Sequence, residues 1–134
     1  MNMKTRVFLD TNFLMVPYQE GIDIFQEIAR LVPVSYELVT LSTVKKELEV
    51  IKQRGNGRDK IAANVGLELL ESKGVRIIEP PAGGKRVDDE LIEIAGTNPE
   101  TMIVCTNDLE LKRSLRKLKV GLISMRSKNH LDYA

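Results

Sequence analysis

At 134 residues the chain suits one domain with a core that needs no cross-links, and 43% hydrophobic against 29% charged residues is an ordinary globular composition. One cysteine, Cys105, and one histidine, His130, exclude a disulfide framework and a zinc site of the common kind; aromatics at 4% exclude a base-stacking platform. No apolar run reaches the ~20 residues of a membrane span and the N-terminus leads directly into a strand, so a cytoplasmic protein with no membrane partner is expected.

The first apolar run, Arg6–Leu9, reads as a short buried parallel strand. Asp10-Thr11-Asn12 reads as a turn, followed by a stretch broken at Pro17. The next helix places Ile22, Phe25, Ile28 and Ala29 on one face, with Asp23 near its start, and ends before Pro33. Glu37–Leu41 is a second strand. Ser42 is the expected N-cap of a helix carrying Val44, Leu48 and Ile51 that stops at Gly55.

Residues 54–60 (RGNGRDK) read as a loop, Ile61–Ser72 as a helix ending at Gly74, and Val75–Glu79 as a third strand. A Pro/Gly loop over 80–84 leads to a helix from Val87 to Ala95, a fourth strand over Thr101–Thr106, a basic helix over Leu109–Leu118 and a fifth strand over Val120–Met125. The tail, 126–134, shows no clear period. Alternating strands and helices predict a single α/β domain over 1–134, its core about 6–125, with three α/β/α layers around a parallel sheet of about five strands.

Four acids fall where a strand ends or a helix begins: Asp10, Glu47, Asp88 and Asp108. Each has a bland explanation. Asp10 and Asp108 can cap helices or turns, Asp88 can complement a helix dipole, and Glu47 only flanks an apolar face. Together they converge on the C-terminal edge of one sheet, where open α/β folds bind ligands. Clustered carboxylates call for a divalent cation bound through oxygen. Asp89, next to Asp88, leaves the third position open; helix spacing from Leu91, Ile92 and Ala95 favours Asp88. Thr11, Asn12, Thr106 and Asn107 offer supporting polar groups.

Formal charge is divided unevenly: 13 Lys and Arg against 16 Asp and Glu in residues 1–100, then 7 against 3 in residues 101–134. The basic set is Lys112, Arg113, Arg116, Lys117, Lys119, Arg126 and Lys128, which reads either as a solvated helix face or as a phosphate-contacting rim.

The strings VFLDTNFL, VKKEL, VDDELIEIA and IVCTNDLELKRSLRKLKV resemble the PIN-domain nucleases over about Arg6 to Met125. That resemblance implies an acidic quartet of Asp10, Glu47, Asp88 and Asp108, with Asp10, Asp88 and Asp108 as ligands of Mg2+ or Mn2+. It also implies hydrolysis of RNA phosphodiesters by an activated water. Lys112, Arg113 and Arg116 are then the expected RNA-phosphate contacts. The basic helix and the ISMRSKNHLDY tail are more similar to small archaeal proteins of the ribosomal-RNA processing branch than to the toxin branch. Expected partners are RNA, a ribosome-assembly factor or an antitoxin, and a second copy meeting through the Ile22, Phe25, Ile28 stripe, which is also readable as core. The alternatives are a toxin-type PIN ribonuclease controlled by an antitoxin and a non-catalytic RNA-binding or ribosome-assembly module. A phosphoacceptor receiver fits poorly, because the third strand ends Glu79-Pro80-Pro81 with no Asp.

Overall fold

The structure, a computed structural model, describes residues 4–81, 86–127 and 130–134. Its elements in chain order are β1 (Thr5–Leu9), α1 (Thr11–Glu20), α2 (Ile24–Leu31), β2 (Tyr36–Leu41), α3 (Ser42–Arg54), α4 (Gly57–Ser72), β3 (Arg76–Ile78), α5 (Val87–Ala95), β4 (Met102–Cys105), α6 (Leu109–Arg116), β5 (Gly121–Ser127) and β6 (His130–Tyr133). A 3-10 turn over Pro99–Thr101 takes Thr101 from the front of β4 and Thr106 lies past its end, which leaves a strand of four residues.

The sheet runs β3-β2-β1-β4-β5-β6, with the first five strands parallel and β6 antiparallel to β5. The expected α/β/α architecture is present. From β1 the chain builds outward through β2 and β3, then returns to lay β4 against the other side of β1, pairing Leu9 with Cys105. This reversal opens a crevice at the C-terminal ends of β1 and β4, the place where such sheets bind ligands. Val7–Leu9 of β1 and the whole of β4 are apolar because both faces are covered there: Val7, Phe8, Leu9, Val104 and Cys105 are buried.

Several local readings are corrected. Instead of a turn and a break, α1 is a continuous helix with Pro17 inside it. Proline in a helix costs about 3 kcal/mol, and here the burial of Phe13, Leu14 and Val16 offsets it. Gly21 ends the helix in the left-handed region, at φ 67°. Helix α4 lies so close to α1 that a Cβ on Gly66 would stand 2.8 Å from the Leu14 carbonyl oxygen. That helix starts inside the expected loop, at Gly57, because the Asn56 side chain caps it by accepting from Asp59 N–H at 2.9 Å.

Ser42 does not cap α3. Leu41 holds that position without a side-chain bond, and the Ser42 hydroxyl donates instead to Glu79 at 3.0 Å. Ile22, which precedes α2, and Phe25 and Ile28 within it are buried core rather than a surface for a second copy, while Ala29 is exposed.

The tail is a strand. Its outer edge is held by α2: the Glu27 carboxylate accepts Leu131 N–H at 3.0 Å, Arg30 donates to the Leu131 carbonyl at 2.9 Å, and Tyr133 O–H donates to the Leu31 carbonyl at 3.0 Å. These bonds satisfy groups that an edge strand would otherwise leave open. His130 is exposed beside the Ser127 hydroxyl. Among the described residues no helix is long and apolar enough to cross a membrane. Residues 82–84 of the Pro/Gly loop and Lys128 of the basic set lie outside the described residues.

Candidate active site

Asp10 leaves β1 and caps α1, so its backbone is set by two elements at once. Only 4% exposed, its carboxylate is held by three donors: Thr11 N–H at 2.8 Å, Asn12 Nδ2 at 3.2 Å and the Thr106 hydroxyl at 2.6 Å. The Thr106 hydroxyl in turn accepts Asp108 N–H at 3.1 Å, which links the ends of β1 and β4. Asn107 reinforces the link. Its N–H donates to Asn12 Oδ1 at 3.2 Å, and its own Oδ1 accepts Met125 N–H at 2.9 Å, tying in β5.

Asp108 caps α6 by accepting Leu111 N–H at 3.0 Å. Glu47 projects from α3 and is exposed rather than inward-facing, yet its carboxylate turns to the same place and accepts the Thr11 hydroxyl. Asp88 stands half-buried in the first turn of α5. The buried stripe of that helix is Val87, Glu90, Leu91, Ile94 and Ala95, so Asp88 lies on its flank rather than its centre.

These four acids line one open cleft of about 310 Å³, together with Thr11, Asn12, Met15, Ile51, Arg86 and Val87. Asp89 is exposed and does not line it, whereas its neighbour Asp88 does. Lys112, Arg113 and Arg116 do not line it either. Arg113 and Arg116 are exposed on α6, while the Lys112 ammonium lies 3.4 Å from the Ser124 hydroxyl.

Among the described residues the cation that does line the cleft is Arg86, 4.0 Å from Asp88. Sequence reasoning passed over it. The only signal was its place just before the helix that carries Asp88.

Burial pushes the Asp10 carboxyl up to about 6; the Thr106 and Thr11 hydrogen bonds oppose the rise, and the charges of Asp88 and Glu47 add to it. Asp88 is raised too, chiefly by burial and then by Asp108, against the pull of Arg86. Among the described residues no three acidic, histidine or cysteine side chains converge tightly enough to share one ion as they stand. The donor set nevertheless suits a hard divalent cation: it is all oxygen, and its mutual repulsion is what a cation would relieve. With the acids around the cleft rather than in one shell, some would reach an ion directly and others through water.

Residues 7–128 match the family described as PIN like domain. Ribonuclease VapC4 of Methanocaldococcus jannaschii is 33% identical over 129 residues, covering 95% of each chain. Ribonuclease VapC9 of Archaeoglobus fulgidus is 37% identical over 117 residues, 87% of this chain and 80% of the relative. In fold, the structure of the PIN domain endonuclease Utp24 superposes with a TM-score of 0.78 at 22% identity, covering 96% of this chain and 90% of the other.

Proposed function

This chain belongs to the PIN-like domain family of nucleases, and from that premise we propose that it is a divalent-metal-dependent endoribonuclease working at Asp10, Glu47, Asp88 and Asp108. The observation that carries the reading is the cleft: four carboxylates from four different parts of the chain line one cleft where the strand order reverses. Bound there, Mg2+ or Mn2+ would offset the carboxylate charge, draw in the scissile phosphate and make an attacking water more acidic.

The chain's own residues supply the rest. Asp10, fixed by its three donors, gives the site its anchor, and Asp88 and Asp108 complete the ligand set. Glu47, oriented by the Thr11 hydroxyl, is placed to hold the water or take its proton. Arg86 offers a guanidinium for a phosphate oxygen at the cleft wall, a geometry that suits bidentate contact. Arg113 and Arg116, on the helix that begins at Asp108, would meet flanking phosphates and position the strand without reading its bases.

Two relatives that span most of the chain carry ribonuclease names, which supports RNA as the polymer. Within RNA, we put forward structured RNA of the ribosomal kind, on the basic helix and tail; the cell compartment that goes with it is the cytoplasm.

The test is cleavage of a labelled structured RNA by wild type and Asp10→Asn, with Mn2+, with Mg2+ and with EDTA. Wild type should cut internally with either ion. EDTA should stop it, and Asp10→Asn should slow it by roughly two orders of magnitude or more, on the order of 3 kcal/mol of transition-state stabilisation. Cutting by Asp10→Asn at the wild-type rate would place the chemistry elsewhere, and cutting in EDTA would remove the metal from the mechanism.

A further inference from the structure

Glu90 has no exposed surface, although it lies in a stripe of α5 otherwise made of Val87, Leu91, Ile94 and Ala95. Its Oε1 accepts the Thr43 hydroxyl at 2.6 Å, and its Oε2 has no hydrogen-bond partner among the described residues. A buried carboxylate so poorly satisfied costs stability, and an apolar residue of the same size would pack there with no such cost. Core packing therefore does not explain it.

Its place in the fold does. Thr43 stands one helical turn before Glu47 on α3, and Glu90 stands two residues after Asp88 on α5. The bond between them joins the two helices that carry Glu47 and Asp88, both of which line the cleft. Neither Glu90 nor Thr43 lines the cleft, so neither touches an ion or a substrate there. We propose that Glu90 and Thr43 form a positioning pair, which fixes α5 against the start of α3 so that Asp88 and Glu47 address the same divalent cation. The inference rests on the metal-dependent reading above.

Partners one step behind a metal ligand typically change affinity or turnover by about 10- to 100-fold when removed. The test uses the whole chain and four proteins: wild type, Glu90→Met, Thr43→Val and Thr43→Ser. Mn2+ binding is measured by titration calorimetry, melting is followed in EDTA, and kcat and KM are taken on a labelled RNA. Glu90→Met and Thr43→Val should each weaken Mn2+ binding by about tenfold and lower kcat by a similar factor, with KM for RNA within about twofold. Glu90→Met should melt in EDTA at or above the wild-type temperature, since it removes the unsatisfied oxygen. Thr43→Ser, which keeps the hydroxyl, should bind Mn2+ as wild type does.

Mn2+ affinities unchanged in Glu90→Met and Thr43→Val would overturn the inference while leaving the nuclease reading standing. Loss of folding in both would overturn it too, by making the pair a structural one. Wild type that binds no Mn2+ would sink the metal-dependent reading itself, and the inference with it.

Discussion

Asp10 and Glu27 each accept three hydrogen bonds, yet their carboxylates are driven in opposite directions. Asp10 is held by Thr11, Asn12 and Thr106 and rises to about 6, because it is buried among other acids. Glu27 is held by two Arg30 nitrogens and Leu131 N–H, and is lowered below its ordinary value, first by the Arg30 hydrogen bonds and then by the Leu131 bond. The donors at Asp10 are neutral and its charged neighbours are acids; at Glu27 the main donor is a cation and water has access. Number of hydrogen bonds does not set the stability of a carboxylate; burial and the sign of its neighbours do. One region spends stability to hold charge ready in a cleft, and the other uses charge to close the edge of a sheet.

The largest effect should come from Asp10→Asn, which exchanges activity for stability. Between an ordinary value of 3.8 and about 6, at about 1.4 kcal/mol per pH unit, the ionised Asp10 destabilises the fold by a ceiling of about 3 kcal/mol at neutral pH. Asparagine accepts with one oxygen only, so about 1–2 kcal/mol of that should be recovered. The sign follows from linkage. The folded chain keeps the Asp10 proton up to about 6 while the unfolded chain releases it near 3.8, so this contribution falls as pH rises across that window. Urea melts in EDTA should therefore show Asp10→Asn more stable than wild type at pH 7, with the gap closing towards pH 4. A variant less stable than wild type at pH 7 would mean that the hydrogen bonds outweigh the burial.

Glu27→Gln should show the reverse at smaller size. A lowered carboxyl contributes stability above its ordinary value of 4.5 that is lost as pH falls through its folded value. The pair with Arg30 is partly exposed and screened, so the loss at pH 7 should be about 1 kcal/mol or less. Cleavage should be untouched. Melts at pH 7 and at acid pH check the sign: the wild-type advantage should vanish in acid, where that of Asp10→Asn over wild type vanishes also, but with the variants ranked oppositely at neutral pH.

The same contrast explains what could be read from the chain. Strands β1 and β4 announce themselves because Val7–Leu9 and Met102–Cys105 are apolar and buried, and the acids that follow them inherit that clarity. The helix α1 did not, since the four consecutive buried residues Phe13–Val16 leave no amphipathic period and Pro17 argues against it. The strand β6 is invisible for another reason: His130-Leu131-Asp132-Tyr133 pairs with β5, and its outer edge at Leu131 is held by Glu27 and Arg30, a hundred residues away in sequence. Glu90 could have been found, as it is three residues after Val87 and four before Ile94. An acid at that spacing on an apolar stripe is a signal, and the neighbouring Asp88 and Asp89 drew the reading away from it.

The smallest effect should belong to Asp89→Asn, and its smallness is informative. Asp89 is adjacent in sequence to a cleft acid, but a helix turns successive residues by about 100°, so it projects away from the cleft and into water. Its influence is confined to a weak repulsion of Asp88, the least of the causes that raise that carboxyl. Removing the charge should ease ionisation of Asp88 slightly and change kcat by less than about twofold, whereas Asp88→Asn should approach the loss expected for Asp10→Asn. Equal losses for the two asparagine variants would show that α5 is rotated in the working enzyme relative to this structure. They would also mean that the cleft is defined by more of its acids than the four that line it.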